Sequence, residues 1–359
     1  MHSNLRLYHK MFQEIHQWLQ GERVTRQRNL ALLVVGLYLA QSVYLSKIGS
    51  KLPIAAKKLS LADRLRRFLR NRAIRVETYY EPLLAPLWQA LAGKEVWLMM
   101  DTTQAGAGHR ALVLSLGYRG RTLPLAWSVH AGTRGNVSVN AQLALLERIY
   151  QRLPLGTTVT LLADSGFDSS DLPIWLQARG WHFVIRQKRR ATVRPVGQSA
   201  WLRLGDVPLQ EGETKSLGWS FLSKTSPYGP VWVVLHWKKG ADDPWLLAST
   251  DGDTHRVLRL YGKRTRIEAM YGDMKARGFD LEHTRLRQPD RIERLMLAIA
   301  ILYLYFVALG SWVVKNGLRS RIDRPDRRDL SYFRLGWDHL DDRLRLGLSF
   351  HLRFLPYYL

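Results

Sequence analysis

Two acidic residues follow apolar segments of the chain in a way that could bring their carboxylates together. Asp101 follows the apolar run 96–100, and Asp164 follows the run Thr158–Ala163. Each run is typical of a buried strand, so each carboxylate would lie at a strand end. If the strands are neighbours, both side chains emerge at one edge of the sheet, where oxygen ligands could hold divalent cations. Taken singly, either Asp could equally be a turn residue or a helix cap.

A third carboxylate, Glu268, lies among regularly spaced hydrogen-bond donors. Tyr261, Arg264 and Lys275 surround it in the sequence, within a segment (254–277) of helical character. At about 100° per residue, the four positions fall within roughly 60° of one another on a helix. One helix face would then present a metal ligand beside three donors to phosphate. The alternative is a solvent-exposed face with ordinary intrahelical ion pairs.

The composition predicts a polyanionic partner. Lys and Arg total 54 against 30 acidic residues, a formal net charge of +24. Such a balance favours nucleic acid over an anionic membrane or a ribosome as the partner. The 13 Trp residues argue against a disordered basic tail, because such rings must be buried or used for stacking. The absence of Cys excludes disulfides and thiolate metal sites and suits a reducing cytoplasm.

One segment, 295–314, has no charged residue and is long enough to cross a membrane. Charged residues immediately before it, and Gly310 and Ser311 as an interruption within it, favour a buried helix instead. Residues 1–12 contain no apolar signal-peptide core, so secretion is not expected. We therefore expect a cytoplasmic protein without a membrane partner.

Residues 1–90 are predicted to form a helical DNA-binding domain. Apolar residues recur at helical spacing in 5–19, 30–44 and 61–69. Basic residues cluster between 57 and 75 with only Asp63 opposing them, and they include Arg64, Arg67 and Arg70. A cluster of one sign beside an apolar stripe favours a phosphate-contacting helix over a merely solvated face.

The order of elements after residue 90 predicts an α/β fold, a ribonuclease-H-like mixed sheet with helices on both faces. Three strands (96–100, 111–118 and 122–129, with a turn at 119–121) precede an alternation of helix 140–152, strand 158–163, helix 171–179 and strand 182–186. The catalytic core would comprise residues 91–187 and 251–315. A Trp-rich β-strand insertion (188–250) would interrupt it, and a basic, poorly periodic C-terminal region (316–359) would follow it.

At these residues the sequence resembles the DDE transposases of bacterial insertion sequences, the subgroup with a Tyr-x2-Arg-x3-Glu-x6-Lys motif and a β-strand insertion ahead of the Glu. Tyr261, Arg264, Glu268 and Lys275 reproduce the motif spacing. Asp101-Thr102-Thr103 and Asp164-Ser165-Gly166-Phe167 look like the family's two Asp motifs. The resemblance covers about residues 95–310 and is weak over the N-terminal helices and the C-terminal region.

The resemblance implies an endonuclease and strand transferase for cut-and-paste DNA transposition, through a DNA hairpin intermediate. Asp101, Asp164 and Glu268 would be the catalytic residues and would hold two Mg2+ ions, for which Mn2+ could substitute. Tyr261, Arg264 and Lys275 would hold phosphates near the cut. Among the tryptophans of the insertion, Trp237 is the first choice for stacking on a base that leaves the helix stack.

The expected partner is double-stranded DNA, both the terminal inverted repeats of the transposon and the target. A homodimer assembled on two DNA ends, associated with the bacterial nucleoid, is the expected active form. A stand-alone metal-dependent nuclease or resolvase of the same fold is the first alternative, and it would need neither the insertion nor the N-terminal domain. A non-enzymatic DNA-binding or membrane-associated protein is the second alternative.

Overall fold

The computed structural model describes residues 2–133, 137–324 and 326–359. The described chain begins with five helices: α1 His2–Trp18, α2 Val24–Ala40, α3 Leu45–Lys51, α4 Lys58–Arg70 and α5 Val76–Leu91. Apolar periodicity predicts α1, α2 and α4. The sequence pattern does not single out α5, which contains Pro82 and Pro86, residues that ordinarily interrupt helices.

A mixed sheet follows the helices and confirms the predicted ribonuclease-H-like fold. Strands β1 Glu95–Gln104, β2 His109–Tyr118 and β3 Arg121–Ala131 form an antiparallel meander. Helix α6 Val139–Tyr150, strand β4 Thr158–Ala163, helix α7 Asp171–Ala178 and strand β5 His182–Arg186 come next. Strand β4 pairs in parallel with both β1 and β5, so the meander and the alternating part share one sheet.

The inserted β segment continues this sheet. Its strands are β6 Thr192–Pro195, β7 Leu202–Arg203, β8 Thr214–Leu222, β9 Tyr228–His236 and β10 Trp245–Ser249. Strand β10 pairs antiparallel with β5, which gives ten strands in the order β3-β2-β1-β4-β5-β10-β9-β8-β6-β7. Segment 188–250 is therefore joined to the core by backbone hydrogen bonds, and the domain boundaries given above stay a prediction.

The predicted helix over 254–277 is wrong as a single element. The structure has α8 Thr254–Gly262 and α9 Arg266–Met274, separated by a turn. Across the turn the backbone N–H of Arg264 donates to the carbonyl of Tyr261 at 2.9 Å, and that of Ile267 to the carbonyl of Arg264 at 3.2 Å. Helix α8 packs on β5 and β9, whereas α9 packs on β3 and β1.

The apolar segment near the C-terminus is a core helix, α10 Pro289–Lys315, followed by α11 Tyr332–Arg345. Helix α10 is long and apolar enough to cross a membrane, but 89% of its most apolar window is buried inside the protein. The predicted interruption at Gly310 is wrong, because α10 runs through it. A Cβ on Gly310 would lie 1.8 Å from the carbonyl oxygen of Tyr332, so glycine is required where α11 crosses.

Helix α11 corrects the expectation of a poorly periodic C-terminal region. Its buried residues Phe333, Trp337, Leu340 and Leu344 recur at helical spacing and face α10. Helices α2, α4 and α5 pack on the same α10, and the apolar residues of the N-terminal helices belong to one continuous core with those of the sheet. Arg294, which is 7% exposed, donates from α10 to the carbonyls of Leu69 (2.8 Å) and Ile74 (2.9 Å).

Candidate active site

Asp101 and Asp164 lie side by side on adjacent parallel strands. Strands β1 and β4 are in register from Glu95 opposite Thr158 to Met100 opposite Ala163, so the two Asp residues are the next pair along. Asp101 does not end its strand, contrary to the prediction, because β1 continues to Gln104 alongside β2. Strand β4 does end there, and Oδ1 of Asp164 accepts from the backbone N–H of Gly166 at 2.8 Å.

The environment of Asp101 disfavours its negative charge. Its side chain is 14% exposed. Burial, followed by the charge of Asp164, raises the pKa of Asp101 to about 6, although the Arg264 guanidinium acts in the opposite direction. A cation bound between the two carboxylates would relieve the repulsion between them.

Arg264 connects the first and third carboxylates. Its Nη1 lies 3.4 Å from Oδ2 of Asp101, and its Nη2 donates to Oε1 of Glu268 at 2.7 Å. Glu268 belongs to the first turn of α9 and is 55% exposed, so its side chain borders solvent. Within the part of the chain that the structure describes, the buried Nε of Arg264 has no hydrogen-bond partner.

Two tyrosines pack around this arrangement. Tyr261, at the end of α8, is 3% exposed, and its ring meets that of Trp245 edge-on at 4.8 Å between centroids. Burial raises the pKa of Tyr261, so its phenol stays protonated. Tyr271 of α9 donates from its hydroxyl to the backbone carbonyl of Asp101 at 3.1 Å. Sequence reasoning missed Tyr271, although its position three residues after Glu268 places it one turn further along the same helix.

Lys275 is not brought to the carboxylates. It follows the end of α9, and its Nζ pairs with Oε1 of Glu282 at 2.5 Å. The predicted common helix face for all four motif residues is therefore wrong. A turn separates α8 from α9 before Glu268, and α9 ends at Met274. Tyr261, Arg264 and Glu268 still meet, because the turn keeps them within two adjoining helix ends.

Trp237 lies in a cavity of about 230 Å³ on the side of the inserted sheet that includes Leu235 and Leu246. Its indole N–H donates to the carbonyl of Ala241 at 2.8 Å. His236, the preceding residue, instead contacts Trp245. Since successive residues of an extended chain point to opposite faces, Trp237 faces away from the Trp245–Tyr261 contact.

The basic helix of the N-terminal region is α4. Its apolar side chains are buried, whereas Arg67 and Arg70 are exposed on the opposite face. Arg64 is partly buried, and its Nε donates to Oδ1 of Asn29 at 2.6 Å. Arg67 and Arg70 are thus presented to solvent, while Arg64 also fixes α4 to α2.

The protein has a ribonuclease-H-like sheet with two aligned Asp residues, and a Glu follows the β insertion in the chain. This combination defines a class of nucleic-acid-processing proteins that depend on carboxylates. The family model described as Transposase DDE domain matches residues 86–305, more than half of the chain, and the protein belongs to this family. It is accordingly a transposase, a DNA-cleaving and strand-transferring enzyme of DNA transposition. The resemblance to DDE transposases is confirmed at this level, and the bacterial insertion-sequence subgroup stays a prediction.

Among solved structures, the chain is similar to the piggyBac transposase synaptic complex with hairpin DNA, with a TM-score of 0.45 and 11% sequence identity. The alignment covers 98% of this chain and 84% of that one. No curated protein matches the chain in sequence.

Proposed function

We propose that this protein is a cut-and-paste transposase that cleaves DNA at transposon ends and joins them to target DNA in a Mg2+-dependent reaction. The observation that carries the proposal is that Asp101 and Asp164 directly follow the last register pair of the parallel strands β1 and β4, with Arg264 between Asp101 and Glu268. Three carboxylates from distant parts of the chain thus come within electrostatic reach of one guanidinium.

The carboxylates have the donor chemistry for a hard divalent cation, because Mg2+ and Mn2+ prefer oxygen ligands. The raised pKa of Asp101, caused by burial and then by Asp164, supports a role for this pair in holding a cation. Among residues 2–133, 137–324 and 326–359, no three acidic or imidazole groups already converge as metal ligands. Glu268 would complete the ligand set once its carboxylate exchanges Arg264 for a cation.

When bound, two Mg2+ ions would supply Lewis-acid activation of the scissile phosphate and of the attacking nucleophile. The protein's own groups would orient the DNA. The guanidinium of Arg264, released from Glu268, would donate through Nη2 to a phosphate oxygen. Buried Tyr261 would position Arg264, whose guanidinium carbon lies 6.0 Å from the centre of the tyrosine ring. Lys275 would reach DNA after release from Glu282.

A hairpin intermediate requires a base to leave the stack, and the inserted sheet offers an aromatic surface for it. Trp219 is 42% exposed and lies edge-on to Trp232 at 5.5 Å between ring centroids. Trp232 shares a sheet face with His236 and Trp245, and so with the side that contacts Tyr261. We therefore propose Trp219, ahead of Trp237, as the residue that stacks on the displaced base.

The functional partner in this proposal is double-stranded DNA, namely two transposon ends and a target, bound by a homodimer. The exposed Arg67 and Arg70 of α4 would contact phosphates of the end sequence. Because the helices of residues 1–90 share their core with α10, this contact would be rigidly connected to the catalytic sheet.

Incubation with Mg2+ and a DNA fragment carrying the element's own ends tests the proposal. Cleavage should be lost and DNA binding retained in each of Asp101→Asn, Asp164→Asn and Glu268→Gln. The control is Asp168→Asn, which removes a nearby carboxylate that pairs with Lys188 and should leave cleavage intact. Substantial cleavage by any of the three site variants would contradict the site assignment. Ca2+ should support binding without cleavage, because its looser coordination suits in-line displacement poorly.

The products distinguish the finer alternatives. Hairpin-ended DNA on a denaturing gel supports the hairpin route, and excision without it under conditions that trap intermediates rejects that route. Equal cleavage of duplexes with and without the element's ends favours the stand-alone nuclease.

A further inference from the structure

An open groove lined by arginines lies beside the helix that carries Glu268. Its volume is about 490 Å³, and it is bounded by the β2–β3 turn, the start of α9 and the segment that precedes α11. Five arginines line what we call the arginine groove: Arg119, Arg121, Arg266, Arg319 and Arg328. No element of the proposed catalytic reaction uses these residues.

Three of the five arginines have uncompensated charges. Arg121 pairs with Asp273 at 2.9 Å, and Arg319 pairs with Asp323 at 2.7 Å. The other three, Arg119, Arg266 and Arg328, have no carboxylate within ion-pair distance in the described parts of the chain. The acidic residue that lines the groove, Asp329, pairs with Arg327 at 3.2 Å. The groove thus presents a concentrated positive charge to solvent.

The groove is held in shape by its own hydrogen bonds. The pair between Arg121 and Asp273 ties the start of β3 to α9. Arg319 also donates to the carbonyls of Arg328 (2.8 Å) and Leu330 (3.1 Å), which fixes the segment before α11. These bonds fix Arg121, Arg319 and the backbone that carries Arg328, so these parts of the groove lose little conformational entropy when an anion binds.

The positive charge extends from the groove towards the carboxylates. A neighbouring cavity of about 380 Å³ shares Arg119 and Arg266 with the groove and adds Lys263, whose Nζ lies 3.1 Å above the centre of the Trp97 ring. Lys263 directly precedes Arg264 in the chain. Trp97 and Asp101 lie four residues apart on the same face of β1, about 13 Å along a strand, which matches about four base pairs of duplex DNA.

We propose that the arginine groove binds the phosphate backbone of duplex DNA that extends beyond the carboxylate site. The inference rests on the proposed function, which brings DNA to Asp101 and Asp164. An open groove with several separated guanidinium groups suits a linear polyanion, because each group can form a two-pronged contact with a different phosphate. Such contacts hold DNA without reading its sequence, so the groove contributes affinity and a strong dependence on salt.

The test removes the three unpaired charges together, as Arg119→Asn, Arg266→Gln and Arg328→Asn. Asn is chosen at positions 119 and 328 because φ is +40° and +53° there, a backbone region that Asn tolerates. The matched control, Arg203→Gln, Lys224→Gln and Lys239→Gln, removes three exposed charges that lie outside both cavities and likewise have no ion-pair partner in the described parts of the chain. The probe is a random-sequence duplex of about 40 base pairs in EDTA, with affinity measured over a range of salt concentrations.

The groove variant should lower the slope of log affinity against log salt by about 2 to 3, and the control should leave it near the wild-type value. Circular dichroism verifies that both variants fold. An unchanged slope in the groove variant, or an equal loss in the control, overturns the inference. The assay needs no cleavage, so wild-type protein that binds this duplex but fails to cut transposon ends would reject the proposed function and leave the groove standing.

Discussion

Replacing Asp101 with Asn should stabilise the folded protein while it abolishes cleavage. Burial and the charge of Asp164 raise the pKa of Asp101 from its ordinary 3.8 to about 6. Between these two pH values the folded state holds a proton that the unfolded state has lost, so stability falls as the pH rises through this window. Above about pH 6 the charged Asp101 carboxylate destabilises the folded state by its full amount. At about 1.4 kcal/mol per pH unit, this loss of unfolding free energy amounts to about 3 kcal/mol.

The neutral Asn side chain avoids this cost. In EDTA at about pH 8, Asp101→Asn should therefore unfold with a free energy about 3 kcal/mol higher than the wild type, and at about pH 5 the difference should shrink to about half. Thermal unfolding should detect a rise in Tm of about 4 °C at the higher pH, given an unfolding entropy of about 2.1 cal/mol/K per residue. Added Mg2+ should narrow the difference in unfolding free energy between the variant and the wild type. It stabilises the folded wild type, which can bind it, and not the variant, which lacks the Asp101 carboxylate.

The matched control is Asp242→Asn, an exposed carboxylate in the loop before β10, which should change stability little at either pH. A variant at position 101 that is no more stable than the wild type at about pH 8 would refute the reasoning. A gain that does not depend on pH would show that the stabilisation comes from packing and not from the removed charge.

Three further predictions follow from the structure. Gly336→Ala should destabilise the fold by about 2–3 kcal/mol in urea unfolding, because its Cβ would lie 2.0 Å from a carbonyl oxygen of α10; unchanged stability would contradict the close crossing. The double variant Arg67→Gln and Arg70→Gln should weaken binding to end DNA in a gel-shift assay without changing Tm, and equal affinity would remove α4 from the interface. Trp219→Ala should slow hairpin formation but not the first nick, at a cost of about 1–3 kcal/mol, whereas Trp237→Ala should not; the reverse result would restore Trp237 as the stacking residue.

Local sequence patterns were sufficient for much of the catalytic sheet. The alternation of apolar runs and helical segments predicted β4 at Thr158–Ala163 and β5 at His182–Arg186 with the bounds that the structure has. These strand bounds depend on side-chain periodicity, which can be read directly from the residue order. Whether Asp101 and Asp164 would be neighbours was left conditional on the pairing of their strands, which the structure shows to be parallel and adjacent.

The grouping of Tyr261, Arg264 and Glu268 was also determined locally, because three and four positions separate them. Lys275 was different, since its place depends on where α9 ends and on Glu282, with which it pairs. Helix continuity over several turns is decided by the surfaces available for packing. Here α8 packs on β5 and α9 packs on β3, and Lys275 lies beyond the last residue of α9.

The tertiary structure alone decided the long-range arrangement. The sequence indicated strands in the inserted segment but not that β10 pairs with β5, because strand pairing depends on backbone groups that every residue shares. Likewise, the high content of basic residues predicted a polyanionic partner. It did not predict which guanidinium groups remain without an ion-pair partner. Arg121 and Asp273 stand 152 positions apart, and only the fold brings them together. Among the residues that the structure describes, the same folding leaves Arg119, Arg266 and Arg328 without acidic partners, since charge compensation depends on distances in space and not on distances along the chain.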